Sequence, residues 1–287
     1  MKARFWGTRG SVPAPGPQTV RYGGNTSCVE VRGDDGSLVV LDAGTGIREL
    51  GRALERDSGG PPPHIDLFIT HAHWDHVHGI PFFAPLYADG ASVSICGPEL
   101  LPTPLESVLA TMLAPGVFPV DVSALRARLE FPRIGREAVA AGSLRVSAFP
   151  ALHPGGAVGF RVEPAGSPGQ ALIYLPDNEV RASTGPVAPD QWQREFAEFA
   201  AGAAVLVHDA MYTEDEYESH RGWGHSTVAD AVRLAEECGI PKLTLFHHAP
   251  ERDDDEVERL LDAAREDVHR RGIALEIQAA AEGSSVA

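Results

Sequence analysis

The sequence predicts an α/β protein in which two mixed β-sheets pack face to face with helices on the outside, an αββα sandwich. Two observations lead there. Short apolar runs rich in β-branched residues recur along the chain, bounded by Gly, Pro or Asp as strands are. A strand-rich first half gives way to a second strand-rich half that also carries helices, with no internal repeat or low-complexity linker between them. A single layered domain over residues 1–278 accommodates both halves.

In chain order, strands are expected at 2–6, 28–32, 38–41, 65–70, 92–96, 144–149, 157–162, 171–175, 204–207, 243–246 and 274–277, and helices at 47–56, 99–112, 191–200, 227–238 and 254–271. Thr227 and Asp230 are spaced as a capping box at the start of the fourth helix. The fifth is the clearest. Val257, Leu260, Leu261, Ala264 and Val268 share one face, the start is acidic, Arg270 and Arg271 sit at the end, and Gly272 is the stop. The stretch 59–64 reads as a surface loop and 279–287 as a frayed C-terminal tail.

Composition narrows the function. The 43% hydrophobic content suffices for a sizeable core, and a formal charge of −16 excludes a general polyanion-binding surface. Phosphate chemistry in such a chain needs a local positive centre. Cys28, Cys96 and Cys238 are odd in number and far apart, which suits reduced thiols rather than a disulfide frame. The first residues lack the apolar core of a signal peptide, and no stretch reaches the roughly 18 apolar residues of a membrane span. The expected location is the cytoplasm, with no membrane partner.

The chemistry begins at residues 70–79, THAHWDHVHG, directly after the apolar run 65–69. His71 and His73 are two apart, so in an extended segment they point the same way. Asp75 and His76 follow as the chain turns and aim at a second point. One strand end thus supplies two half-built metal sites. Imidazole with carboxylate suits Zn²⁺, Mn²⁺ or Fe²⁺. His78 lies outside the pattern.

This His-x-His-x-Asp-His run resembles the signature of the metallo-β-lactamase fold superfamily. The resemblance implies further ligands at His153, at a bridging Asp177, and at His247, which the family pattern selects over its neighbour His248. One metal ion would then be held by His71, His73 and His153, and a second by Asp75, His76 and His247. Two divalent ions bring four positive charges and Asp75, Asp177 and a hydroxide remove three. The centre keeps about one positive charge, an attraction for a phosphodiester inside an acidic protein.

Within the superfamily, GHST at residues 224–227 resembles a motif of the ribonuclease Z and phosphodiesterase branch. There the histidine, here His225, helps protonate the leaving alkoxide. His208–Asp209–Ala210 looks like the His-Glu-Ala-Thr motif of the same branch with Asp in place of Glu. Asp209 would orient His225. Residues 5–31 resemble phosphodiesterase-like proteins related to the cyclic-phosphate esterase of phosphonate metabolism, and suggest a tight loop beside the site, with Arg9, Asn25 or Thr26 as substrate contacts. Phe118 and Trp74 are candidates to pack against a base, although Trp74 reads better as a wall of the fold. The stretch 99–136 looks like a compact apolar lid, unlike the basic arm with which ribonuclease Z enzymes clasp transfer RNA.

The sequence therefore predicts a dinuclear-metal hydrolase, zinc foremost, acting on a small phosphodiester such as a cyclic nucleotide, with Asp75, Asp209 and His225 as catalytic residues. No large nucleic acid is expected as a partner, and a homodimer is compatible with the fold. The alternatives are an RNA 3′-end endonuclease of the ribonuclease Z type, a thioester or lactone hydrolase, and a nucleotide-binding protein without turnover.

Overall fold

The structure, a computed structural model, describes residues 1–58, 64–183 and 188–286. The expected loop at 59–64 lies outside the described residues except for His64, and so does Ala287.

Two mixed sheets face each other. The first contains β1 (Lys2–Gly7), β2 (Cys28–Arg32), β3 (Leu38–Leu41), β4 (Ile65–Phe68), β5 (Ser92–Pro98), β6 (Arg128–Glu130) and β7 (Arg133–Ile134). The second contains β8 (Val139–Ala141), β9 (Leu144–Pro150), β10 (Val158–Pro164), β11 (Ala171–Leu175), β12 (Ala203–Asp209), β13 (Lys242–Phe246) and β14 (Glu276–Ala279). The last strand, β15 (Ser285–Val286), returns to the first sheet, where it pairs antiparallel with β1. In each sheet antiparallel neighbours give way to parallel ones: β1, β2 and β3 are antiparallel and β3, β4 and β5 parallel, while β8 to β11 are antiparallel and β11 to β14 parallel.

Strand alternation sorts the side chains between layers. On β3, Val39 and Leu41 enter the cluster between the sheets while Val40 faces the outer helices. On β12, Val205 and Val207 point inward and Leu206 outward. The inner cluster joins Phe5, Val31 and Phe68 of one sheet to Phe160, Tyr174 and Phe246 of the other. Each such buried apolar side chain stabilises the fold by about 1.5–3 kcal/mol relative to exposure.

The helices are α1 (Ile47–Ser58), the single turn α2 (Trp74–Val77), α3 (Leu105–Met112), α4 (Pro189–Ala200), α5 (Glu214–His220), α6 (Val228–Glu237) and α7 (Asp254–Arg270). Helices α1 and α3 cover the outer face of the first sheet, and α4, α6 and α7 that of the second. Capping boxes at Thr213/Glu216, Thr227/Asp230 and Asp253/Glu256 start α5, α6 and α7.

Several expectations need correction. The segment 279–286 is not frayed: Ala280 and Val286 are buried, because β15 closes the edge of the first sheet beside β1. The third helix begins at Leu105 rather than at residue 99, since Pro102 and Pro104 bar the residues before them from helical geometry. It is no lid: Leu105, Leu109 and Leu113 are buried in the outer core of the first sheet. The short strands β6, β7 and β8 and the polar helix α5 carry little apolar periodicity and went unforeseen. Cys28 and Cys96 are buried and Cys238 half-buried, all as free thiols. Among the described residues no helix is long and apolar enough to cross a membrane.

Candidate metal centre

The site forms where strand ends of both sheets converge. Asp42 follows β3, the 71–76 run follows β4, His153 follows β9, Asp177 follows β11, Asp209 ends β12 and His247 follows β13. Parallel strands put their carboxyl ends on one side of a sheet, so residues remote in sequence meet there.

Two donor groups emerge. His71, His73 and His153 form one, and Asp75, His76, Asp177 and His247 the other, each with its ligand atoms within 4.8 Å of one another. Asp177 spans both: Oδ2 lies 3.7 Å from Nε2 of His71 and of His153, while Oδ1 lies 3.0 Å from His76 Nε2 and 3.4 Å from His247 Nε2. Asp75 Oδ2 is 3.2 Å from His76 Nε2 and 3.1 Å from His247 Nε2. His71 Nε2, His76 Nε2 and Asp177 Oδ1 are buried with no hydrogen-bond partner. Orphaned lone pairs turned toward a common point fit metal ions, since an unpaired buried polar atom is otherwise costly. Imidazole nitrogens with carboxylate oxygens suit divalent cations of the zinc, manganese and iron type.

The far sides of three of the imidazoles are also held. His76 Nδ1 donates to Asp42 Oδ2 at 2.8 Å, His71 Nδ1 lies 3.0 Å from Thr70 Oγ1, and His153 Nδ1 donates to the Gly224 carbonyl at 2.8 Å. Such bonds fix the tautomer that leaves Nε2 free for a metal ion. Burial alone would raise the Asp177 carboxyl, but His247, His76, His71 and His153 together hold it well below the usual range. Burial depresses His71 and His153. For His76, burial is outweighed by Asp177, Asp75 and Asp42, which raise it.

The backbone is bent to serve the site. Among the described residues the non-glycine positions with positive φ are Ser11 (61°), Asp42 (60°) and His247 (59°), and all three touch or belong to the cluster. Strain of this kind persists where the surroundings over-determine it. Ser11 N–H donates to Asp75 Oδ2 at 2.8 Å, which seats the N-terminal loop against the ligands. Gly10 allows that approach, since a Cβ there would lie 2.4 Å from His247 Nδ1.

His225 stands beside both groups, its ring 5.1 Å from that of His153 and 5.0 Å from that of His247, on which it stacks. Its Nδ1 donates to Asp209 Oδ2 at 2.6 Å. Burial would lower its pKa, but the Asp209 charge and hydrogen bond, followed by Asp177 and Asp75, raise it to about 9. These carboxylates favour the protonated ring, the state in which Nε2 carries a proton to donate.

The geometry separates His247 from His248. His248 Nε2 donates to the Ala280 carbonyl, and burial pushes the ring down to about 3, so it is a neutral structural group. The proposed substrate contacts move away. Arg9 is fully buried and spends its guanidinium on the carbonyls of Gly23, Ala249 and Arg252. Asn25 binds Glu282, and Thr26 exchanges hydrogen bonds with Thr45. These side chains are engaged within the loop and its neighbours. Phe118, partly buried against the outer core, meets the exposed Phe82 edge-on. Trp74 is no wall of the fold but 65% exposed.

Sequence reasoning missed Asp42 and Glu179. Each is an acidic residue within two positions of a strand end or ligand, the only signal available. Glu179 is buried and accepts from Tyr217 O–H at 2.7 Å and from the amides of Gly222 and Gly224, each at 2.9 Å. It thereby pins the loop that presents His225 and the carbonyl partner of His153.

The fold and this donor set define a metal-dependent hydrolase. The chain belongs to the beta-lactamase superfamily, whose domain description matches residues 38–248. It is 28% identical over 286 residues to a ribonuclease Z of Haloferax volcanii, covering 86% of this chain and 84% of that protein. In fold it is similar to unliganded yeast PDE1, with a TM-score of 0.69, 16% identity and coverage of 99% and 98% of the two chains. It also resembles a diphosphatase from the PhnP family, with a TM-score of 0.65, 21% identity and coverage of 100% and 97%.

Proposed function

We propose that the protein hydrolyses small phosphodiesters, a cyclic nucleotide foremost, at a centre of two divalent metal ions, zinc first among them. His71, His73 and His153 would hold one ion, Asp75, His76 and His247 the other, and Asp177 both. The observation that carries this reading is the His225–Asp209 pair, joined at 2.6 Å and set beside the paired donor groups. A thioester or activated lactone expels its leaving group readily, whereas an alkoxide leaving phosphorus needs an acid. Ions on these donors would supply a Lewis acid for the phosphoryl oxygens and a water acidic enough to act near neutral pH. Asp209 holds His225 Nδ1, and His225 Nε2 delivers its proton to the departing oxygen. Similarity to ribonuclease Z enzymes supports phosphodiester chemistry and keeps RNA 3′-end cleavage as the second reading.

A chromatographic product assay with zinc or manganese tests this on 3′,5′- and 2′,3′-cyclic nucleotides and a short RNA. Ring opening with intact RNA is the expected result, whereas trimmed RNA with untouched cyclic substrates would establish the second reading. His225→Ala should lose about 10²–10⁴-fold on alkyl diesters and much less on a nitrophenyl diester, whose leaving group needs no proton. Equal losses on both would refute the acid role.

A further inference from the structure

Beside His225 a cavity of about 580 Å³ opens to solvent. A chain of rings runs along it outward from the acid. The Tyr212 ring meets His225 edge-on at 5.9 Å, His220 stacks on Tyr212 at 4.7 Å, and Trp223 stands edge-on to His220 at 4.9 Å. Trp223 is 61% exposed although its loop is rigidly built. Its two neighbours, Gly222 and Gly224, have φ of 86° and 88°, and both of their amides are held by the buried carboxylate of Glu179. A large apolar face presented on a pinned loop at the mouth of a site is a ready-made platform for a flat group.

The charges around it define that group further. Glu216, Glu251 and Glu256 line the cavity. Its one guanidinium or ammonium among the described residues, Arg252, is spent on Glu216 and the Met211 carbonyl. A second phosphate would find no exposed guanidinium or ammonium here, and a continuing polynucleotide would be repelled by the three carboxylates. Glu251 is exposed and makes no hydrogen bond or ion pair among the described residues, so its carboxylate is free to accept from an exocyclic amino group. The occupant is therefore planar, uncharged and donor-bearing.

We infer that this cavity is a subsite for the amino-bearing heterocycle of a single nucleoside, stacked on Trp223 with Glu251 accepting from its edge, while its phosphodiester lies at the donor cluster. The inference rests on the phosphodiesterase reading for the phosphate, but the ring site stands on its own geometry. Because the cavity borders His225, the ring belongs to the part of the substrate that carries the leaving oxygen.

Adenosine, which has no phosphate, separates the two ideas. Titration of the intact protein with adenosine should quench tryptophan fluorescence saturably. Trp223→Ala removes an exposed side chain, so the fold should survive, as circular dichroism would show, and the saturable quenching should disappear. Glu251→Gln should weaken adenosine binding several-fold and leave purine riboside, whose ring edge carries no donor, unaffected. On a cyclic nucleotide, Trp223→Ala should raise KM about tenfold, at the low end of base stacking, with less effect on a dialkyl phosphodiester. No saturable quenching in the wild type, or equal quenching in Trp223→Ala, would overturn the ring site. So would an oligoribonucleotide that binds more tightly than adenosine and competes for this cavity. Adenosine binding without turnover of any phosphodiester would uphold the ring site and remove the phosphodiesterase reading.

Discussion

Replacing Asp42 by Asn should damage the metal centre although Asp42 is not placed to hold an ion. Its carboxylate is fully buried and accepts from four donors: the Thr70 amide at 2.7 Å, the Thr70 hydroxyl at 3.0 Å, His76 Nδ1 at 2.8 Å and the Tyr174 hydroxyl at 2.9 Å. Asparagine keeps the shape and tolerates the φ of 60° at this position. It offers one acceptor oxygen, however, where two are used. If the amide nitrogen faces His76, the imidazole must move its proton to Nε2 and loses the lone pair turned toward Asp177. If the amide is flipped, its N–H₂ opposes the Thr70 N–H instead. Loss of such a supporting carboxylate costs about 10–100-fold in metal affinity, or about 1.4–2.7 kcal/mol. Zinc affinity measured by competition with a chromophoric chelator should fall by that factor in a variant with a native circular dichroism spectrum. Tyr174→Phe removes one donor without touching the tautomer and should cost less. A folded Asp42→Asn protein with unchanged zinc affinity would refute the claim that Asp42 sets the His76 tautomer.

Other outcomes follow from the same geometry. Gly224→Ala places a Cβ 2.3 Å from His153 Nδ1 at a φ of 88°, so it should displace His153 and cost about 1–3 kcal/mol of stability, read by denaturant unfolding. In the metal-free protein, burial lowers His71, His73 and His153, so the unfolded chain binds protons that the folded chain refuses. Melting temperature should therefore drop as pH falls below the ordinary imidazole value of 6.5, and His153→Asn should reduce that dependence. His225, raised to about 9, acts in the opposite sense: its contribution is complete below 6.5 and is lost as pH rises through about 9, a decline that Asp209→Asn should remove. Zinc at about 100 times its dissociation constant should stabilise the fold by ~2.7 kcal/mol, seen as a higher melting temperature that a chelator reverses.

The sequence by itself determined the layers and half of the metal site. Near-continuous apolar runs such as 38–41 and 243–246 can bury their two faces only between a second sheet and a helix layer, so the sandwich is written locally. The run His71 to His76 is legible because one strand end and one turn put its donors close together whatever the rest of the chain does. His153, Asp177 and His247 became candidates only through resemblance to a family, because each sits alone in its own stretch of sequence.

Tertiary structure decided what depends on long-range meeting. Asp42 lies 34 residues from His76 and Glu179 lies 45 from Gly224, so nothing local marks either as a partner. Arg9 looked like an exposed substrate contact, yet its guanidinium closes on carbonyls 240 and 243 residues away. The final residues, polar and small, looked frayed until the unpaired edge of β1 was there to take them up. Local pattern controls how a segment bends and which face it buries. Which strand ends meet, and so which carboxylate holds which imidazole, is set only when the two sheets close on each other.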